Sequence, residues 1–184
     1  KRIISKIIMA KFYDKLTSRL QKFIKNQKIF FVATAPKNGR INLSPKGMDS
    51  LRVVGENRIL WLNVTGSGNE TAAHLLENDR ITIMMCSFEG APNILRIYGK
   101  GKAIHPNDQE WDTVIHLFTE TPGTRQIFDI KVESAQTSCG MSIPFFDYKD
   151  EREQLNDWAK EKGEDGIEQY WEDRNLTSID GKPT

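Results

Sequence analysis

The sequence predicts a mainly β protein with peripheral helices, built as a small antiparallel barrel of about six strands. Three observations support this fold class. Short apolar runs with strand-like patterns recur between residues 28 and 104, turn-forming residues join most of them in pairs, and helical patterns lie before and after them. Antiparallel neighbours joined by short turns favour a meander or barrel over a parallel sheet.

The length of 184 residues suits one domain that buries a substantial core. We divide the chain into an N-terminal extension at 1–10, a barrel domain at 11–148 and a helical extension of the same domain at 149–184. The run from Met9 to Lys11 looks like a natural start, so residues 1–8 are given no functional weight.

The chain up to residue 104 begins with a helix and continues with three hairpins. Apolar residues from Phe12 to Ile24 recur at helical spacing, which predicts an amphipathic helix over 11–26. The runs "KIFFVATAP" and "RINLSPKG" flank "KNG", and an Asn-Gly between apolar runs predicts a hairpin. A second hairpin is predicted from "LRVV-GENR-ILWLNV", and a third from "RITIMMCSF-EGAPN-ILRIYGKGKAI".

The remaining elements are mostly helical. One short helix, from about Glu70 to Glu77, interrupts the hairpins, and another follows Pro106 with Asn107 as its N-cap. The run "RQIFDIKVESAQTS" alternates again and predicts a late strand. Two polar helices are predicted near 149–162 and 164–174, and "SIDGKPT" closes the chain as a loop.

Composition excludes several classes of function. The net charge of +1 argues against a nucleic-acid partner, which normally needs clustered positive charge. Cys86 and Cys139 lie far apart, which predicts two reduced thiols in a cytoplasmic protein. No apolar segment is long enough to predict a membrane span, and the three histidines have no metal-binding spacing. We therefore expect no nucleic-acid partner, membrane partner or metal.

The junction "TGSGNET" between the second hairpin and the short helix has two interpretations. Ser67 and Glu70 have the spacing of a capping box, in which both side chains bind free amides at a helix start. Gly66 and Gly68 instead favour close approach of a ligand, and a glycine-rich turn leading into a helix exposes amides to an anion. Local chemistry leaves capping and ligand binding as about equal alternatives.

A second candidate segment is "INLSPKG". Alternation places Leu43 on one strand face and both Asn42 and Ser44 on the other. Pro45 cannot donate to a ladder, so the strand ends there, at a sheet edge or in a bulge. Lys46 then projects from the strand end, and taken alone it is interpreted as a solvated charge.

Together these segments resemble a known family. The runs "IFFVATAPKNGRINLSPKG" and "WLNVTGSGNETAAHLLENDRITIMMCSFEGAPNILRIYGKG" are similar to the pyridoxamine 5'-phosphate oxidase-like family of FMN-binding split-barrel proteins. The order of helix, hairpin, polar turn, short helix and long hairpin is similar too. The likeness covers residues 10 to 104, and the region from "QTSCGMSIPFFDY" to "SIDGKPT" resembles an uncharacterised branch of the family.

The resemblance implies an antiparallel split β-barrel and a homodimer with two FMN molecules at the subunit interface. It further implies that Asn42 to Lys46 lies along the flavin ring and ribityl chain, and that Thr65 to Thr71 reaches the ribityl phosphate. The residues expected to contact FMN are Asn42, Leu43, Ser44, Pro45, Lys46, Thr65, Gly66, Ser67, Asn69, Glu70 and Thr71. The expected function is that of an FMN-dependent oxidoreductase of unknown substrate. The alternative is a non-catalytic protein that binds or senses flavin, haem or another cofactor.

This sequence also departs from the family pattern. Asn69-Glu70-Thr71 stands where pyridoxamine phosphate oxidases carry an Arg-Lys pair, and Ile41 and Asn42 stand where an arginine is expected. Lys46 is then the nearest remaining cation. The run "YWEDRN" lacks the histidine of the family's substrate motif, which argues against pyridoxamine phosphate as the substrate. No side chain is nominated as catalytic.

Overall fold

Eight antiparallel strands form one sheet in the computed structural model, which describes residues 10–184. The strands are β1 (Lys11–Tyr13), β2 (Phe30–Thr34), β3 (Asn42–Lys46), β4 (Leu51–Gly55), β5 (Arg58–Val64), β6 (Arg80–Cys86), β7 (Ile94–Ile104) and β8 (Thr124–Ser138). The helices are α1 (Ser18–Asn26), α2 (Glu70–Glu77), α3 (Trp111–Val114) and α4 (Gln154–Arg174), and a 3-10 turn at Ile115–Leu117 follows α3. The predicted mainly β fold class is confirmed.

The sheet curls because its two edges are close in sequence. The strand order is β3-β2-β6-β7-β8-β5-β4, with β1 paired to β8 outside this path. In a flat sheet with this order, β3 and β4 would lie about 29 Å apart. The chain from Lys46 to Leu51 spans at most about 18 Å. The edges must therefore approach each other, which gives a barrel opened between β3 and β4.

The N-terminal helix is shorter than the predicted 11–26. Thr17 is its N-cap, and its side chain accepts a hydrogen bond from the Leu20 amide at 3.4 Å. Residues 11–13 instead form β1, which pairs with the last part of β8. Strand β8 is long enough to pair with β5 up to Lys131 and then with β1, so tertiary pairing overrides the local helical pattern.

Three other predicted elements differ in extent. The estimate of about six strands was too low, because β1 was missed and each predicted run forms its own strand. Asn107 does not cap the helix after Pro106: α3 begins at Trp111, and the Asp108 carboxylate instead accepts a hydrogen bond from the His105 amide at 2.7 Å. The two polar helices predicted near the C-terminus are present as the two halves of α4, separated at Gly163, whose φ of +67° is not helical, but the first begins at Gln154 and not near 149.

The largest apolar core lies inside the curled sheet and beneath α1. Trp61 stacks on Phe128 with ring centroids 4.7 Å apart, and Phe30 meets Trp61 edge to face at 6.3 Å. Cys86 is buried and Cys139 is exposed; burial raises the pKa of the Cys86 thiol. The predicted division at 10/11 and 148/149 stays a prediction, and residues 1–9 lie outside the described part of the chain.

Candidate functional site

A cavity of about 690 Å³ opens between β3, the β5–α2 turn and the C-terminal tail. Its volume lies within the range of about 300–1,000 Å³ that is usual for small-molecule sites. Nine of the eleven residues expected to contact FMN line it: Asn42, Leu43, Ser44, Lys46, Gly66, Ser67, Asn69, Glu70 and Thr71. The two segments nominated from the sequence therefore meet in one cavity.

The other two expected residues, Pro45 and Thr65, do not line the cavity. Pro45 is exposed on the opposite face of β3. Thr65 is buried, and its hydroxyl donates to the Gly123 carbonyl at 2.8 Å while it accepts from the Trp171 indole N–H at 2.8 Å. Thr65 thus anchors α4 to the barrel behind the turn.

Strand β3 turns alternate side chains away from solvent, and its antiparallel register with β2 fixes which ones. Asn42, Ser44 and Lys46 lie opposite core-facing residues of β2, and all three line the cavity. The Asn42 amide lies 3.5 Å from the Thr71 hydroxyl, to which it donates, and this contact joins β3 to α2. The face alternation predicted for "INLSPKG" is observed in β3.

Lys46 is not the solvated charge that its sequence context suggested. Its Nζ lies over the Trp61 ring, 5.2 Å from the centroid, and no carboxylate of the described residues pairs with it. Burial, and secondarily the positive charge of Arg125, lower the pKa of Lys46 below its ordinary value. The β2–β3 pairing carries this lysine inward at the strand end, so the solvated interpretation was wrong.

Arg125, at the start of β8, is a second cation of the cavity and was missed by the sequence interpretation. Its side chain is only 7% exposed. It donates to three neutral acceptors: Asn175 Oδ1 at 2.5 Å, Asn63 Oδ1 at 2.9 Å and the Gly68 carbonyl at 3.4 Å. Its Nε is buried and has no partner. Burial lowers the pKa of Arg125 to about 10, so the guanidinium still carries its charge at neutral pH.

The signal that pointed to Arg125 was weak. Arg125 and Gln126 are consecutive polar residues at the start of an apolar strand, where a strand end in solvent is the simplest interpretation. The β5–β8 register, with Asn63 opposite Gln126, brings them back to the glycine turn from 57 residues away. This pairing is not visible in either local segment.

The capping box at the β5–α2 turn does not form. Asn69, not Ser67, is the N-cap of α2, and no side chain caps the helix. The Glu70 Oε1 instead accepts from the Ile179 amide at 2.9 Å, because the C-terminal tail reaches the helix start. Asn69 Oδ1 is likewise engaged elsewhere, accepting from Gln126 Nε2 at 2.8 Å. The capping interpretation was therefore wrong.

The glycines of this turn are not explained by internal crowding. A Cβ on Gly66 would meet nothing closer than 3.9 Å, and one on Gly68 nothing closer than 3.5 Å. Neither glycine has a positive φ. Both line the cavity, so the missing side chains leave its wall open at this turn.

The C-terminal tail supplies a wall that the sequence analysis treated as a plain loop. Arg174 ends α4 and lines the cavity, and Thr177, Ser178 and Ile179 follow it. These residues reach the cavity because α4 packs against the barrel, where the Trp171 indole donates to Thr65. The short motif "SIDGKPT" carries no local signal of this placement.

None of the residues described as lining the cavity is a histidine. His74 is fully buried, and its Nδ1 lies 3.0 Å from the Thr34 hydroxyl. Its Nε2 has no hydrogen-bond partner and lies 3.9 Å from Glu70 Oε2. Within residues 10–184, no group of three or more His, Cys, Asp or Glu side chains is placed to hold a metal ion.

In the part of the chain that the structure describes, no helix combines the length and the apolar character that a bilayer crossing requires. The cytoplasmic location stays a prediction.

Comparison with solved structures shows the fold. A putative pyridoxamine 5'-phosphate oxidase from Lactobacillus delbrueckii superposes with a TM-score of 0.55 at 18% identity, covering 70% of this chain and 98% of the other. HutZ, the haem storage protein of Vibrio cholerae, superposes with a TM-score of 0.51 at 19% identity, covering 69% of this chain and 98% of the other. At these identities the likeness concerns the fold alone.

Comparison of sequences shows the family as well as the fold. The pyridoxamine 5'-phosphate oxidase family protein ustO of Aspergillus flavus is 36% identical over 144 residues, which cover 76% of this chain but only 58% of that relative. A family model described as pyridoxamine 5'-phosphate oxidase matches residues 16–139, which include β3, the glycine turn and Arg125. This chain, with its mainly antiparallel split-barrel fold, is therefore a member of the pyridoxamine 5'-phosphate oxidase family.

Proposed function

We propose that this protein binds FMN in the cavity beside β3, with the phosphate held by Arg125, Lys46 and the Gly66–Gly68 turn. The observation that carries the proposal is Arg125, a buried guanidinium with three neutral acceptors and no carboxylate partner. Burying a cation is costly unless an opposite charge compensates it. A ligand phosphate in the adjoining cavity supplies that charge.

The donors suit a phosphate in number and kind. Arg125 Nε is a buried donor without a partner, and a guanidinium is well matched to phosphate geometry. Lys46 adds a further cation on the same cavity, and none of the ion pairs of the described residues includes it. The helix α2 begins at this turn with no side-chain cap, so its first amides are not occupied by its own side chains. These cations replace the Arg-Lys pair that the sequence lacks at residues 69–71.

The remainder of the cavity suits the ring and the ribityl chain. Asn42 and Ser44 contribute polar side chains from β3, and Trp61, 1% exposed with Lys46 over its ring, lies at the floor of the lining. These groups would orient the ring by packing and hydrogen bonding, and the barrel behind them excludes water. Bound FMN would supply hydride or single-electron transfer, which no side chain of this chain provides.

An FMN-dependent oxidoreductase is the activity that we propose, with its substrate unassigned. The alternative is a non-catalytic binder or sensor of flavin or haem. Among the described residues that line the cavity there is no histidine, cysteine, methionine or tyrosine, the usual side chains that ligate haem iron. This favours flavin over haem at this cavity.

We also propose that the protein is a homodimer whose partner completes the cavity. Ile41 is 76% exposed and Leu43 64% exposed at the edge strand β3, and Ile179 is 70% exposed on the tail wall. Exposed apolar side chains that rim one cavity are typical of a protein interface. Light scattering should give twice the chain mass of 21.1 kDa, and a monomer at the concentrations used for flavin binding would contradict the proposal.

The FMN proposal is tested by comparing FMN with riboflavin, which lacks the phosphate. We expect the wild-type protein to bind FMN and the full-length Arg125→Met variant to bind it about 100-fold more weakly, because a charged phosphate contact is lost. Riboflavin affinity should change by no more than about threefold. Fluorescence quenching on titration measures both affinities, and a visible spectrum reports flavin that is retained through purification.

Arg19→Met is the matched control, because Arg19 is exposed on α1 and does not line the cavity. It should leave both affinities unchanged. Absence of FMN binding by the wild-type protein, or equal FMN binding by Arg125→Met, would refute the proposed site. Bound FMN that no nicotinamide donor reduces would favour the non-catalytic alternative.

A further inference from the structure

Asn175, the residue directly after α4, joins two parts of the cavity that are far apart in sequence. It is 3% exposed. Its Oδ1 accepts from Arg125 Nη1 at 2.5 Å, and its Nδ2 donates to the Gly66 carbonyl at 3.3 Å. One side chain thus contacts both the buried cation and the glycine turn.

The backbone of Asn175 is held from two sides. Its amide donates to the Trp171 carbonyl at 2.8 Å and closes the end of α4. Its carbonyl accepts from the Thr184 hydroxyl at the end of the chain. Because the helix end and the tail both fix the backbone, the amide side chain has a defined direction toward Arg125.

The tail beyond Asn175 is attached to the elements that surround the cavity. The Ile179 amide donates to Glu70 on α2, and Lys182 pairs with Glu77 on the same helix. Asp180 accepts from the backbone amide and the guanidinium of Arg40, which precedes β3. These contacts attach the tail to α2 and to the residue before β3. The tail is therefore held in place as one wall of the cavity.

The chemical nature of residue 175 affects the charge that a ligand meets. An amide oxygen satisfies a guanidinium N–H without neutralising the cation. A carboxylate at this position would form an ion pair with Arg125 and remove the positive charge that an anionic ligand needs. Asn63, the other side-chain acceptor of Arg125, is also an amide. The site therefore positions Arg125 and preserves its charge.

We infer that Asn175 is a positioning residue of the anion site, which orients Arg125 and holds the Gly66 turn against it. The inference rests on the proposed function, since the anion it serves is the FMN phosphate. It assigns to the C-terminal tail a role in ligand affinity that lies outside residues 16–139, the part matched by the family model.

The test uses two full-length variants, Asn175→Asp and Asn175→Ala, titrated with FMN and with riboflavin. We expect Asn175→Asp to weaken FMN binding by about 30-fold, because the new carboxylate neutralises Arg125. Asn175→Ala should weaken it by about fivefold, since Arg125 keeps its charge but loses its orientation. Riboflavin affinity should stay within about threefold in both, because riboflavin has no phosphate.

Asn107→Asp is the matched control for the added charge, because Asn107 is exposed and does not line the cavity. A purely structural role for Asn175 would weaken FMN and riboflavin equally, and that outcome overturns the inference. Unchanged FMN affinity in Asn175→Asp overturns it too, as does failure of both variants to fold. Absence of FMN binding by the wild-type protein refutes the proposed function instead, so the two failures are distinguishable.

Discussion

The paired strands β5 and β8 have two buried regions of opposite chemistry. In one, Trp61 lies opposite Phe128, and their stacked rings are the centre of the apolar core. In the other, two positions further along, Asn63 lies opposite Gln126, next to Arg125. All five side chains are at most 8% exposed, so burial alone does not distinguish the two regions.

The two regions differ in whether the protein itself supplies every contact, hydrogen-bond partner and counter-charge that the buried groups need. The Trp61–Phe128 region needs only shape-complementary apolar neighbours, which the barrel provides. In the polar region, Arg125 Nε and Gln126 Oε1 are buried without hydrogen-bond partners, and the cation has no counter-charge. A buried region that its own chain leaves incomplete is a ligand site candidate, whereas a complete one is explained by folding.

The largest expected effect is on stability, from Phe128→Ala in the apolar region. We expect it to lower the free energy of unfolding by about 3–5 kcal/mol, since it leaves a cavity beside Trp61 in a close-packed core. Urea denaturation measures the change. Where the variant remains folded, its ratio of FMN to riboflavin affinity should equal that of the wild-type protein. A changed ratio would mean that the two regions are not separable.

A smaller effect on stability is expected from Gln126→Leu in the polar region. The substitution keeps the size of the side chain but removes the donor to Asn69 Oδ1, which costs about 1–2 kcal/mol in unfolding free energy. FMN affinity should fall by about fivefold, because Asn69 and its turn lose their attachment to β8. A loss of stability as large as that of Phe128→Ala would contradict the contrast between the regions.

The smallest effect concerns pH and Lys46. Because burial lowers the Lys46 pKa in the folded protein, its protonated form destabilises the fold at neutral pH, and this cost disappears as pH rises from the lowered pKa to the ordinary value of about 10.5. The same rise removes a positive charge from the cavity. We expect the FMN affinity, divided by that of riboflavin, to fall by about twofold between pH 7 and pH 9, a range in which Arg125, with its pKa of about 10, stays mainly charged.

The riboflavin ratio cancels ionisation of the shared ring. A Lys46→Met variant should lose most of this pH dependence and bind FMN more weakly at pH 7. An unaltered pH profile in that variant would show that another group is responsible.

Local sequence was a good guide to the strands and to one wall of the cavity. The three hairpins form β2–β3, β4–β5 and β6–β7, and α2 runs from Glu70 to Glu77 as predicted. Alternation identified the inward face of β3, because side-chain direction in a strand follows from backbone geometry alone. Helix boundaries and caps were predicted less accurately: helix α1 begins seven residues later than predicted, and Ser67 does not cap α2.

The sequence by itself determined where the chain forms strands, which faces of them are apolar, and that a glycine-rich turn leads into α2. The tertiary structure alone decided that Arg125, from a strand start, and Asn175, from the end of a distant helix, reach that turn. Their side chains meet through β5–β8 register and α4 packing, which are sums of many contacts between segments at least 50 residues apart. Such long-range pairing leaves no mark on the few residues around either position, so the charge of the site becomes visible only in the folded chain.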